Sequence, residues 1–450
     1  MAELQPLRDN SFLTHLATGR LILERGSVPT TDPYTFTAAG EPWVVQSWLV
    51  SVLYAGVERL GGIDAVRVLT AGMTAALAAL GWRLLRPADG LVVRLALGAS
   101  FVTVGAGLWA ERPFMVGLLA FALTVLAAER GLDARWLAPI GWLWVNSHGS
   151  FPLGLVFLAL AALGSRLDGR GSEVELRCLK WAALGVGLGV VGPLGPRVLS
   201  FPLELLQRHE LLSNVDEWQA PAFDSVSQRA FLLQLVVAVV LLARRPSYRS
   251  ALVTAVFAAA ALLGARNLTV ASIALLPVTA SAAAGIGGLS AVARPRLGAP
   301  MLAAVSAVVA VLVAARLQQP SLRLSAYPVD VLAFMEEADL DSRDVRMAAP
   351  ELVGNLITYV YGAERRVFYD DRFDMFPSAA SEAQLALAGP DSSVFDRLVA
   401  YRVDLLTVRR SHPMASILVR DERWRTIYSD ERWMLACLRG SDLGGTVGRC

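Results

Sequence analysis

The sequence predicts a polytopic α-helical membrane protein of about ten transmembrane helices, followed by a carboxyl-terminal soluble α/β domain. Three observations predict it. Hydrophobic residues make up 55% of 450 and charged residues only 18%, with a mean hydropathy of +0.49, too apolar for a soluble chain of this length. Apolar stretches of membrane length recur from about residue 63 to 316, and beyond about 321 the pattern changes to short alternating strands and helices. The organisation read from these is an external loop with interfacial helices at 1–62, a transmembrane domain at 63–316 and a soluble domain, external, at 321–440.

In order, crossings are expected near 63–85, 91–109, 113–129, 135–147, 149–164, 178–199, 229–243, 250–264, 267–284 and 299–316. Several fall short of the ~20 residues a helix needs to cross ~30 Å of hydrocarbon, so 135–164 can also be one broken hairpin. The amino terminus lacks the pattern of a cleaved signal, which leaves the first crossing as the insertion signal.

The stretch 43–60 (WVVQSWLVSVLYAGVERL) is either a crossing or a surface helix, and the basic residues decide. With 43–60 in the interface, alternate loops collect Arg83, Arg86, Arg94, Arg130, Arg135, Arg166, Arg170, Arg177, Lys180, Arg244, Arg245, Arg249, Arg294 and Arg296. The opposite set is Arg59, Arg67, Arg112, Arg197, Arg208, Arg229 and Arg266. Fourteen against seven puts the first set in the cytoplasm, and the loop that begins at Asp9, like the tail, outside. Trp43 and Trp48 suit the headgroup belt in that placement.

The same topology gathers the polar clusters on the external side: Asp9–Asp32, Glu111-Arg112-Pro113, Asn146-Ser147-His148-Gly149, Asp216-Glu217-Trp218 and Arg266-Asn267. Ionisable groups are costly at the bilayer centre, so groups at the ends of apolar helices sit in the interface or line a polar cavity. Convergence on one face suggests a shared cavity.

In the tail, 329–340, 352–361 and 393–401 read as helices, and DVRMAA, RRVFYDD and DLLTVRR as strands; WRTIY and WMLACLR read as a closing hairpin. Strands alternating with helices imply a mostly parallel sheet. From Arg439 the chain is Gly-rich and is expected to fray.

Composition also excludes partners and chemistries. A net charge of +2 with dispersed basic residues gives no case for nucleic acid. Cys178, Cys437 and Cys450 have neither CxxC nor Cys/His spacing, so they read as inert thiols, and no metal site or cofactor is expected. Arginine almost completely replaces lysine, as in a GC-rich bacterial coding bias, which points to a bacterial plasma membrane.

The amino-terminal loop carries an acid, then HLATGR, Asp32-Pro33-Tyr34, Phe36-Thr37 and GEPWVVQSWL. Downstream come ERPF (111–114), WVNSHGSFPLG (144–154), GPLGPRVLSFP (192–202), DEWQAPAF (216–223), ARNL (265–268) and RVFYDDRFDMF. In order and number these resemble a poorly characterised bacterial branch of the GT-C superfamily of integral membrane glycosyltransferases. The resemblance implies a polytopic enzyme that transfers a sugar from a polyprenyl-phosphate carrier to an acceptor outside the cell. It implies that Asp9, in the first external loop, is the catalytic acid.

Transfer from a lipid phosphate needs a base for the acceptor hydroxyl and donors for the charge building on the departing phosphate. Asp9 is the candidate base, and Arg112 and Arg266 are the candidate phosphate partners, because a guanidinium presents a planar fork to phosphate oxygens. Asn146 and His148 can orient acceptor or phosphate, His15 can contact the sugar, and Glu111 and Glu217 complete the substrate-binding set. Plainer roles stand beside these: Asp9 as helix cap, Asp32 as turn former, Glu111 and Arg112 as a mutual pair, Trp218 as a belt residue, and Asp371–Arg372 as a pair in a solvated turn. A catalytically inactive protein that binds lipid-linked glycan or scaffolds envelope assembly is the alternative function, and a secondary transporter ranks third, because the polar groups gather at one end rather than at midplane.

Overall fold

The structure, a computed structural model, describes residues 6–7, 9–207, 216–284, 318–340, 344–444 and 447–450. The helices are α1 (Asn10–Arg25), α2 (Trp48–Leu84), α3 (Leu91–Gly105), α4 (Phe114–Ala128), α5 (Leu137–Val145), α6 (Pro152–Leu167), α7 (Glu173–Leu188), α8 (Arg197–Gln207), α9 (Val226–Arg244), α10 (Tyr248–Leu263) and α11 (Leu268–Ala283). Beyond them lie α12 (Val329–Glu337), α13 (Glu351–Tyr361), α14 (Ser378–Ala388), α15 (Val394–Ala400) and α16 (Pro413–Arg420). The strands are β1 (Met347–Ala348), β2 (Leu405–Arg409), β3 (Trp424–Ser429) and β4 (Trp433–Leu438). The chain forms two compact units: Met1–Leu7 with Val57–Ser321, and Arg8–Gly56 with Leu322–Cys450.

The first unit is a helical bundle. Its inner members are α4 and α11, buried along almost their whole length. Phe121 of α4 meets Phe157, Phe257 and Trp144 at ring-centroid distances of 5.7, 5.4 and 6.3 Å, which fills the space between α4, α5, α6 and α10. Small residues bring helices closer still. A Cβ at Gly185 of α7 would lie 2.1 Å from the Ala138 carbonyl oxygen of α5, so only glycine permits that approach.

The outer helices present large apolar side chains outward: Leu233 is 61% exposed, Val239 53% and Leu263 77%. A stripe of such groups around a packed bundle would be costly in water and is what a lipid-facing surface requires. Among the described residues two helices, Trp48–Leu84 and Val226–Arg244, are long and apolar enough to cross a membrane. Within α2, Gly61 and Gly62 leave helical geometry, Gly62 at φ +68°, so the helix breaks where the first crossing is expected to begin. The other expected crossings coincide with helices of 9–16 residues, shorter than the ~20 a full span needs, and 299–316 lies outside the described residues.

The second unit is built on a four-stranded sheet of order β1-β2-β4-β3. The expected mostly parallel sheet is corrected here: only β1–β2 is parallel, while β2–β4 and β3–β4 are antiparallel. The closing hairpin takes the sheet's far side, so β4 rather than a crossover strand becomes β2's second neighbour. The RRVFYDD segment contributes single bridges rather than a full strand, Val367 pairing in parallel with both Met347 and Thr35. Through Thr35 the amino-terminal loop joins this layer, and its Tyr34, Trp43 and Val45 share one core with Phe368, Phe376, Leu398, Leu406 and Ala436. Helix α1 lies against α13, where Arg20 donates to the Tyr359 carbonyl at 3.0 Å and covers its ring at 4.7 Å.

The cysteine reading is also corrected. Cys437 of β4 and Cys450 form a disulfide with Cα atoms 6.2 Å apart, while Cys178 is free and buried. The Gly-rich tail therefore folds back instead of fraying: Asp442 bridges Arg449, and the Cys450 amide donates to the Ser441 carbonyl at 2.9 Å. A cross-link spanning 13 residues is expected to stabilise its unit by about 2–3 kcal/mol. Cys437→Ser and reductant are each expected to lower the second unit's melting temperature by the same amount, and an unchanged melt would contradict that role.

Candidate functional site

In the first unit, four loops at one end of the bundle bring together candidates that are far apart in sequence. The turn Asp216–Trp218 is tied to the loop before α11 by the Ala265 amide, which donates to the Gln219 carbonyl at 2.9 Å. That tie lays the Arg266 guanidinium over the Trp218 ring at 4.1 Å. Phe114, the first residue of α4, faces the same guanidinium at 5.8 Å and the His148 ring at 5.1 Å. Arg112, two residues before Phe114, pairs with Glu217, both half-buried. The structure thus joins Arg112, Glu217, Arg266 and His148 through Phe114 and Trp218.

Each member is held by local structure. His148 lies in the turn between α5 and α6, where its Nδ1 accepts the Ser150 amide at 3.1 Å. That bond assigns the proton of the neutral ring to Nε2, leaving a donor on the ring's other edge. Trp144 Nε1 donates to Ser150 Oγ at 3.0 Å and so steadies the turn. Asn146 is buried and donates from its side chain to the Trp142 carbonyl at 2.9 Å, closing the end of α5; Glu111 is buried beside Arg112. Burial pulls the Arg266 guanidinium below its ordinary range, with Glu217 acting against that and Arg112 with it, yet it stays a cation at neutral pH.

The structure pairs Arg112 with Glu217, across loops that no local spacing connects. Sequence reasoning read Trp218 as a belt residue, and the structure uses that ring as the platform for Arg266. Phe114 and Ser150 were not singled out, although both stand inside the quoted motifs ERPF and WVNSHGSFPLG.

In the second unit, Asp9 caps α1: its Oδ1 accepts the Ser11 amide at 3.0 Å. His15, two turns on, meets Ser51 Oγ through Nδ1 at 3.2 Å. Asp32 is more than a turn former. Its carboxylate accepts the Tyr34 and Thr35 amides at 3.1 and 2.9 Å and pairs with Arg372 at 2.8 Å.

Arg372 in turn forks onto Asp370, with Nε to both carboxylate oxygens at 2.9 and 3.0 Å, and packs over the Trp43 ring at 4.3 Å. The expected solvated Asp371–Arg372 pair is thereby corrected: Arg372 is buried, and its partners are Asp370 and Asp32. The segment enters the core at Phe368 and Tyr369, which carries the following charges inside. Burial pushes the Asp370 carboxyl up to about 6 despite the Arg372 guanidinium. An acid whose folded pKa exceeds its unfolded value contributes stability that is fully present below about 4 and is lost as pH rises through about 6. Melting of the second unit between pH 4 and 7 is expected to show this fall, and Asp370→Asn to remove it; identical profiles would contradict the assignment.

No group of His, Cys, Asp or Glu among the described residues is arranged to hold a metal ion. No known family profile matches the chain. No curated protein matches it either. Among solved structures it is similar to the cryo-electron microscopy structure of the arabinofuranosyltransferase AftD from Mycobacteria, at a TM-score of 0.42 and 12% identity, over 96% of this chain and 42% of that one. The chain therefore spans less than half the length of that enzyme. At such values the likeness is distant.

Proposed function

We propose that this chain is an integral membrane glycosyltransferase that takes a sugar from a polyprenyl-phosphate carrier and passes it to an envelope acceptor on the external face of a bacterial plasma membrane. The observation that carries the reading is the placement of Arg266: a half-buried guanidinium set between the Trp218 and Phe114 rings, with Arg112 close by on the Glu217 side. Two guanidiniums at the end of a lipid-facing bundle suit a phosphate at the membrane surface. The sequence motifs that resemble GT-C enzymes include every one of these residues. The Cys437–Cys450 disulfide supports an oxidising compartment for the second unit, as an external location requires.

In the reaction the acceptor oxygen bonds to the anomeric carbon while the bond from that carbon to the phosphate oxygen breaks. The acceptor's proton passes to a base, and the departing phosphate's charge is met by Arg112 and Arg266. His148 Nε2–H is a further donor for a sugar hydroxyl or phosphate oxygen. Glu217 holds Arg112 until phosphate competes for it, Glu111 and Asn146 support the loops that present them, and His15 is the proposed sugar contact.

Asp9 is the proposed base, and one substitution tests it cleanly. Asn caps a helix about as well as Asp, so Asp9→Asn is expected to leave the melt unchanged and lower transfer by about 10²–10⁴-fold. Activity unchanged in Asp9→Asn would remove Asp9 from catalysis. A second reading, a catalytically silent relative that binds lipid-linked glycan, is favoured by the cap contact from Ser11 to the Asp9 carboxylate; wild-type protein that binds donor without ever releasing sugar would establish it.

A further inference from the structure

Three side chains between the end of α5 and the start of α6 form a hydrogen-bonded relay that ends on His148. Trp144 Nε1 lies 3.0 Å from Ser150 Oγ, and Ser150 Oγ lies 2.9 Å from His148 Nδ1. An indole nitrogen only donates, so Ser150 Oγ accepts from Trp144 and turns its own hydrogen to His148 Nδ1. The Ser150 amide donates to the same Nδ1 at 3.1 Å. Two donors of one residue therefore converge on a single ring nitrogen.

Glycines on two flanking helices make room for the relay. A Cβ at Gly117 of α4 would lie 2.6 Å from Ser150 Oγ, 3.1 Å from Trp144 Nε1 and 3.6 Å from His148 Nδ1, so this one position faces all three members. A Cβ at Gly154 of α6 would lie 2.7 Å from Cζ3 of the Trp144 ring. The indole, 3% exposed, is thus slotted between α4 and α6 with its one donor aimed at Ser150. A larger residue at either glycine would have to move the indole or the hydroxyl.

A second proton on the imidazole would have to sit on Nδ1, because both nitrogens of an imidazolium donate. There it would point at the Ser150 N–H, and that hydrogen bond would be lost. The described charged groups on the neighbouring loops are balanced in sign: Arg112 is paired with Glu217, Arg266 stands beyond the Phe114 ring, and Glu111 is buried. The contacts from Ser150, rather than a net surrounding charge, therefore decide the state of the ring.

We propose that Gly117, Trp144 and Ser150 are positioning residues that hold His148 as a neutral imidazole with its hydrogen on Nε2. The use made of that state rests on the sugar-transfer reading: His148 donates to a sugar or phosphate oxygen throughout the reaction, and the acceptor's proton is left to the carboxylate base.

Histidine-selective nitrogen NMR of the full-length protein in detergent tests it, with the His148 signals identified by their loss in His148→Gln. Wild-type His148 is expected to keep the neutral Nε2–H pattern from about pH 8 down to about pH 5.5, a range in which an unconstrained imidazole takes up its second proton. Ser150→Ala removes the hydroxyl donor, and Trp144→Phe keeps a ring in the slot but loses the Nε1 hydrogen. In both, the ring is expected to take up that proton within the range, and transfer is expected to fall by about three- to tenfold and to gain a step in its pH profile. A wild-type ring that titrates in this range, or signals in Ser150→Ala and Trp144→Phe that match those of wild type, would overturn the proposal. The signals are read without substrate, so failure of the sugar-transfer reading shows separately, as full activity in Arg266→Gln.

Discussion

Arg266→Gln is expected to lower sugar transfer by at least about 100-fold while leaving the bundle folded. The guanidinium sits over Trp218 at 4.1 Å, where the flat amide of glutamine keeps much of the stacking area and loses the charge. Its partners are rings, and no ion pair breaks with it among the described residues, so the cost falls on whatever anion the site receives rather than on folding. Arg266→Lys keeps the charge but loses the planar fork, and is expected to fall between the two. Arg112→Gln is expected to do at least as much, because it also frees Glu217, whose carboxylate then faces incoming phosphate alone. Initial rates at saturating donor, together with KM, separate the roles: loss in kcat marks stabilisation of the departing phosphate, and loss in KM alone marks ground-state binding. Full activity in Arg266→Gln would remove the site from the reaction.

Arg372→Met is expected to destabilise the second unit by about 3–5 kcal/mol. The guanidinium lies between Asp370 and Asp32, all three buried, and is stacked on Trp43. Its removal leaves two carboxylates without the cation between them, a cost much larger than that of losing an exposed pair such as Arg397–Glu382. Because Asp32 belongs to the amino-terminal loop, the loop is expected to detach first, seen as protease cleavage between Gly26 and Gly40 before the sheet melts. The double variant Arg372→Met with Asp370→Asn is expected to recover part of the loss, because one buried charge has gone with its partner. A melt of Arg372→Met indistinguishable from wild type would contradict the description of this ion cluster.

What the sequence disclosed follows from what is local in it. The helices of the first unit were legible because an apolar run ended by Gly61-Gly62 or Glu111-Arg112-Pro113 marks its own limits. The hairpin β3–β4 was legible because Ser429-Asp430-Glu431-Arg432 separates two apolar stretches. Sheet direction was not, because alternation of strand and helix does not say that β4 will insert beside β2. The pairings of Arg112 with Glu217 and of Arg372 with Asp32 join residues whose separation no periodicity encodes. The Cys437–Cys450 bond was hidden for the same reason: the tail's glycines signal flexibility, and only the fold shows what they allow the chain to reach. At the candidate site the residue types were legible as polar groups at helix ends, whereas the role of Trp218 depends on a loop-to-loop hydrogen bond from Ala265 to Gln219.

The central claim is that Arg266 and its neighbours receive a lipid-linked phosphate. Equilibrium binding of polyprenyl monophosphate to the full-length protein in nanodiscs tests it without knowledge of the sugar. Saturable binding by wild type that is weakened at least about tenfold in Arg266→Gln and left intact in Arg245→Gln is the predicted result; binding equally tight in wild type and Arg266→Gln would contradict it.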